Sequence, residues 1–576
     1  MRARASGARL RRRRRPAARL FWLMLLVAGG AAGFWWWQQQ QPSREYVQPA
    51  YMDKPAAIML RGEWSGEHAA GEGEGLKIPL ELARQLLGEG VWHEPETESI
   101  VLTTPTDVLY LKPGERNATL NRKPFELRFA AEKEGDTLYL PLAPLTELFG
   151  LTAETGEGTG IVTLFMPGDA YQTGTVTKER TALRSGPDRR QPIVEDLAAG
   201  DTLRIWGERD GWYTAQSTAG HIGYVDKRHV KLGGVKQVPV RHDGDGSARA
   251  DYAYWNLTGE RINLTWEAVY SVPANPDNLD RLPGVNVVSP TWFELKDGEG
   301  NIRSKADRRY VERAHANGLQ VWALFSNSFD PDLTHEALAT HEKRMNMIAQ
   351  LLAFAQTFKL QGINLDFENV YLEDKEKLVQ FVRELTPLLH AQGLVVSIDV
   401  TPKSNNAMWS AFLDRGKLGR IVDFMMVMAY DEHWATSPKA GSVSSLPWAE
   451  NAVKRILEED GVPPEKLILG IPLYTRIWTL DPDGKVSSKA VGMDTVRQLI
   501  KERNLKPVLS EETGQHYVEY KEDGTLRKIW IEDAHSIRAR AALVKKYGLA
   551  GVASWQRGFA ADDIWRVLDE ELQSQP

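Results

Sequence analysis

The feature that most constrains this chain is a rhythm that fills residues 251–572: amphipathic helix, glycine or short loop, apolar strand. It shows in YVERAHANGLQVWALF, in LVQFVRELTPLLHAQGLVVSIDV and in ARAALVKKYGLAGVASW. In the second, Leu378, Phe381, Val382, Leu385 and Leu389 recur at helical spacing, and the apolar run 394–400 follows as a strand buried on both faces. Strands of this kind are predicted at 262–270, 285–293, 319–325, 362–368, 394–400, 422–431, 467–474 and 551–555. Strands and helices alternating in this number predict a (β/α)8 TIM barrel. The long interval at about 475–536 carries β-type pieces such as HYVEYKEDGTLRKIWIED. It predicts a small α+β insertion walling one side of a cleft.

Barrel enzymes place their chemistry at the C-terminal ends of the strands. The fourth predicted strand, QGINLDFENV, sets Asn364, Asp366 and Glu368 on one face and Ile363, Leu365 and Phe367 on the other. Carboxylates on alternate residues lie about 6.6 Å apart along a strand, close enough to perturb each other's titration. The sixth strand ends in MAYD, with Tyr430 and Asp431; the seventh in GIPLYTRIW, with Tyr474, Arg476 and Trp478; the eighth at Trp555. Acids, an arginine and large aromatic faces at one mouth predict a glycan cleft.

These residues resemble glycoside hydrolase family 18, the chitinase-like family, across the whole module. The family's Asp-x-x-Asp-x-Asp-x-Glu signature is matched by Gln361, Asn364, Asp366 and Glu368. Met428, Tyr430 and Asp431 match its Met-x-Tyr-Asp, and Gly470, Pro472, Tyr474, Thr475, Arg476 and Trp478 match its seventh-strand motif. The GINLDFENV form looks most like the subgroup of spore-cortex-lytic N-acetylglucosaminidases. The resemblance implies that Glu368 is the general acid and then the base, with Asp366 orienting the substrate's own 2-acetamido nucleophile. Tyr430 would donate to the acetamido oxygen, and Trp555 would floor the subsite. Asn364, Asp431, Tyr474, Arg476 and Trp478 are expected to contact sugar. Gln361 and Asn364 stand where the family has acids, so a buried carboxylate beside Asp366 is expected to be missing.

The resemblance further implies an N-acetylglucosamine-containing glycan as partner, peptidoglycan or spore cortex, cleaved with retention after GlcNAc; chitin is the alternative. An inactive, lectin-like barrel would be expected to lack the acid. A metal hydrolase built on Asp431, Glu432 and His433 would need a second histidine at ligand spacing. Neither a metal nor another cofactor is expected.

Ahead of the barrel, IPLELARQLLG (78–88) and LPLAPLTELFG (140–150) repeat one frame, followed by strand-like runs at 100–102 and 161–165. Two copies predict one α+β module over 60–168. It resembles the domain family named for the N-terminal region of copper amine oxidases. Residues 174–234 read as short β runs, and LRSG, Gly211–Trp212 and GYV resemble a small bacterial SH3 barrel. Polar linkers fill 38–59 and 235–250.

Residues 1–19 hold nine Arg and no acid, and Leu20 to Trp37 then run apolar. As a helix, this run spans roughly 27 Å, enough for a bilayer core. Arginines before it and Trp35, Trp36 and Trp37 at its far end predict an uncleaved transmembrane anchor at 20–37, with a cytoplasmic segment 1–19 and the rest of the chain outside the cell. The rival is a cleaved signal peptide, which would leave the protein secreted or wall-associated. Beyond residue 19, 62 basic residues face 77 acidic ones. That balance argues against a nucleic-acid partner. The chain has no cysteine, so disulfides and thiolate metal sites are excluded. A monomer is expected.

Overall fold

The computed structural model describes residues 16–39, 41–240, 261–522 and 524–573. Most of the basic segment, the end of the 235–250 linker and the predicted start of the barrel at 251–260 lie outside these residues. Two compact units emerge. One takes the chain up to Leu86 and again from Arg128; the other takes Leu87–Leu127 together with the barrel.

In the first unit the two sequence repeats meet strand to strand. Strands Lys77–Pro79 and Thr137–Pro141 pair antiparallel with Ile78 opposite Leu140. Each leads into an eight-residue helix, Leu80–Leu87 and Leu142–Phe149. A seven-stranded antiparallel sheet runs from Ala170 to Gln237 around Val176, Leu183, Leu203, Ala215 and Val225, an all-β module. The helix Pro16–Gln39 includes the apolar span Leu20–Gln38, of mean hydropathy 1.5, with none of it buried.

The second unit is built on eight parallel strands: β1 (Ile262–Glu267), β2 (Val287–Leu295), β3 (Gln320–Ser326), β4 (Gly362–Asp366), β5 (Val395–Val400), β6 (Phe424–Met428), β7 (Leu467–Pro472) and β8 (Gly551–Trp555). Each pairs with its neighbours in sequence, and β8 closes on β1. The barrel interior is filled by Leu264, Trp266, Trp322, Leu324, Val395, Met426, Ile468 and Ala553. Trp322 fits because Gly362 lies beside it: a Cβ there would come within 2.8 Å of the indole. The outward faces of the strands pack on the surrounding helices, which is why the strand sequences are apolar at nearly every position.

Between β7 and β8, strands Tyr474–Leu480, Val486–Gly492, Val508–Ser510, Gln515–Glu522 and Thr525–Ile531 form an antiparallel sheet carrying the helix Met493–Glu502. This is the predicted insertion.

One division differs from the sequence reading. The strands between Val91 and Glu126, from the middle of the predicted 60–168 module, belong to the barrel's unit. Val101 and Val108 join the core cluster of the barrel helices, so packing outweighs chain continuity. The contact runs along α3 (His341–Phe358) and α4 (Lys375–His390). Arg344, fully buried on α3, ion-pairs with Glu94 at 2.5 Å and with Glu384 of α4 at 2.6 Å. Burial pushes the Glu384 carboxyl up, but Arg344 and His341 outweigh it and hold the group down to about 2. Tyr110 stacks on His341 with ring centres 4.2 Å apart.

Candidate active site

At the mouth of the barrel β4 delivers its acids as the alternation predicts. Asp366 is the last residue of the strand, buried and facing the interior; Glu368 lies two residues on, partly buried. The backbone of Glu368 is fixed by a side chain from the loop after β3. Asn327 accepts from the Glu368 N–H at 3.1 Å and donates to its carbonyl at 2.8 Å. Asn327 is itself fully buried and also donates to Thr334. The acid is therefore mounted rigidly although it sits past the end of a strand.

Burial, then the Asp366 and Asp431 charges, push the Glu368 carboxyl up to about 8. A group titrating there is protonated at neutral pH and suits a general acid. Asp366 is pushed well above the ordinary range, first by burial and then by Asp399. Tyr430, just past β6, packs edge-on to Trp266 at 6.4 Å, and Trp266 lies 6.0 Å from Trp555. The tyrosine and two indoles thus form one aromatic wall beside the acids.

Asp431 adopts a left-handed backbone conformation, with φ of 59°. It accepts hydrogen bonds from the Tyr474 hydroxyl at 2.6 Å and the Arg476 guanidinium at 2.9 Å. Tyr474 and Arg476 are both nearly enclosed, so they act on the cleft by holding Asp431. The loop after β6 is in turn tied to the insertion by a buried network. Gln515 bonds Ser442 and donates to Glu532, while Arg540 pairs with Glu532 at 2.7 Å and reaches the carbonyl of Ser444.

Two residues expected to touch sugar are fully buried. Asn364 is fully buried one inward step below Asp366; it accepts from the Trp266 indole at 2.9 Å and donates to Asp399 at 2.9 Å. Trp478 is fully buried because its insertion strand turns it toward the loop after β6, where its indole donates to Gly441 O at 2.8 Å. A third expectation is also corrected. The buried carboxylate thought missing beside Asp366 is present, supplied by Asp399 on β5. Gln361 lies at the opposite end of β4, accepting from the Val321 N–H, away from the acids. His433 bonds Ser442 O within its own loop.

Asn327, Trp266 and Asp399 were missed by sequence reasoning. Asp399 had a signal: an acid inside LVVSIDV, a run whose other residues are apolar except Ser397.

With the geometry in place, comparison decides the family: residues 294–560 match the Glycosyl hydrolases family 18. The barrel belongs to family 18. Residues 70–164 match the Copper amine oxidase N-terminal domain. Among curated relatives of the family 18 barrel, the uncharacterized glycosylase YvbX of Bacillus subtilis (strain 168) is 28% identical over 298 residues, covering 49% of this chain and 84% of that protein. The cortical fragment-lytic enzyme of Bacillus anthracis is 28% identical over 293 residues, 49% of this chain and 66% of that enzyme. Among solved structures, the spore cortex-lytic enzyme SleL of Bacillus megaterium QM B1551 shares the fold, with a TM-score of 0.50 at 19% identity over 59% of this chain and 77% of that one.

Proposed function

We propose that the protein is a glycosidase that cuts β-1,4 bonds after N-acetylglucosamine in peptidoglycan or spore cortex, with retention and with the substrate's acetamido group as nucleophile. The observation that carries this reading is Glu368, held by Asn327 and pushed up to about 8 next to Asp366. Glu368 protonates the glycosidic oxygen as the bond breaks, then takes a proton from the attacking water. Asp366 faces the acetamido nitrogen and stabilises the positive oxazolinium ring; Tyr430 donates to the acetamido oxygen; Trp555 supplies an aromatic floor. Asp431, fixed by Tyr474 and Arg476, hydrogen-bonds sugar hydroxyls. The apolar helix supports an anchored protein whose other modules face the cell wall.

The test is a digest of purified wall glycan reduced with borohydride. Glucosaminitol at the new ends is expected; muramitol would identify a muramidase. Chemically N-deacetylated glycan should resist, because an amine cannot form the oxazolinium. Efficient cutting of it would rule out substrate assistance. Preference for chitin over wall glycan in the same assay would replace the cell-wall reading with a chitinase reading.

A further inference from the structure

The barrel interior holds one carboxylate that the β4 motif does not account for. Parallel pairing runs Asn364 to Ser397 and Leu365 to Ile398. One step further along both strands sets Asp366 beside Asp399, on neighbours spaced roughly 4.8 Å apart. Both side chains are buried and face inward, Asp399 at 2% exposure and Asp366 at 8%. Asp399 accepts from Asn364 Nδ2 at 2.9 Å, whereas Asp366 Oδ1 is buried without a hydrogen-bond partner. A buried oxygen in that state calls for a proton between the two acids or a ligand donor above them.

We infer that Asp399 is a positioning residue that holds one proton jointly with Asp366, doing from the fifth strand what an acid at position 364 would do from the fourth. Two carboxylates this close and out of water do not both ionise. The titratable groups facing the pair are Glu368 from the end of β4, which opposes further negative charge on Asp399, and Tyr430 from the end of β6, whose own hydroxyl is kept protonated by burial and by the charge of the pair. Asn364 works the other way, since its amide donates to Asp399.

The shared proton has a use in the reaction proposed above, and the inference rests on that reading. In the resting pair it sits on Asp366. As the glycosidic oxygen takes the Glu368 proton and leaves, positive charge appears on the acetamido-derived ring. The pair's proton then passes to Asp399, and Asp366, now a carboxylate, accepts from the ring N–H. When water opens the ring and returns a proton to Glu368, the pair's proton moves back. One proton changes sides twice, and no co-reactant is consumed.

The experiment compares Asp399→Asn with the double variant Asn364→Asp/Asp399→Asn, which moves the acid from β5 to β4 and keeps an amide opposite it. On a GlcNAc oligosaccharide, Asp399→Asn is expected to lower kcat about 10²-fold with KM changed less than about threefold, and to displace the acid limb of the pH profile. The double variant should recover at least about tenfold of that loss. Thermal melts of both variants establish that they fold. A substrate-free readout accompanies the kinetics: the carboxyl 13C shift of Asp366, whose titration midpoint should fall in folded Asp399→Asn. Wild-type kcat and an unmoved Asp366 titration in folded Asp399→Asn would overturn the inference, as would a folded double variant no better than the single. If the wild type cuts no GlcNAc glycan while the Asp366 titration still moves, the functional reading fails and the proton-sharing pair stands.

Discussion

Replacing Glu368 by Gln removes a proton and almost no volume, so it isolates what the acid contributes. With its titration pushed from the ordinary 4.5 up to about 8, the group is about nine-tenths protonated at pH 7. At 4.5 the protonated fraction would be about 0.3%, so the surroundings raise the acid form roughly 300-fold, worth about 3.4 kcal/mol. The sign follows from the role: the acid form is the active one, so kcat/KM should hold through neutral pH and fall as pH rises through about 8. Glu368→Gln should lower kcat/KM on wall glycan about 10²–10⁴-fold and abolish that alkaline limb. An aryl glycoside whose leaving group departs without protonation should lose far less in its first step. Pre-steady-state release of the aryl alcohol, compared with reducing-end formation from glycan, checks the difference. An alkaline limb near pH 5 in the wild type, or a variant that loses equally little on both substrates, would refute the assignment.

Arg344→Met leaves the Glu384 and Glu94 carboxylates buried without their cation, and should destabilise the barrel's unit by about 3–5 kcal/mol, read as a lower urea midpoint; an unchanged midpoint would show that the network is neutral. The full chain should fractionate with membranes and keep its arginine-rich N-terminus, and deletion of residues 1–39 should release it; a mature N-terminus near residues 29–35 would show a cleaved signal instead.

The barrel was legible in the sequence because parallel strands buried on both faces write themselves as apolar runs, and the period-2 alternation along 362–366 put Asn364 and Asp366 on one buried face. What could not be read was anything set by a partner from another strand. Asp399 and Asn364 are joined across neighbouring strands, so neither the missing acid nor its replacement shows in the β4 motif alone. Trp478 follows a strand end in sequence, yet the antiparallel pleat of the insertion turns its ring into the core. Asn327 matters through a backbone contact 41 residues away, which no local pattern records.

The placement of residues 87–127 bears on how such a chain can be recombined. The family match at 70–164 is one stretch of sequence, but its middle packs into the hydrophobic cluster of the barrel's surrounding helices. A crossover that transplanted only the barrel would bare the apolar side of α3 and α4 and strand Arg344 without one of its two acids. A fusion point at residue 87 is no cleaner, because strand Lys77–Pro79 pairs with Thr137–Pro141 in a unit that resumes at Arg128; the segment from Leu87 to Leu127 must be inherited with the catalytic barrel or the barrel must evolve a new surface to replace it.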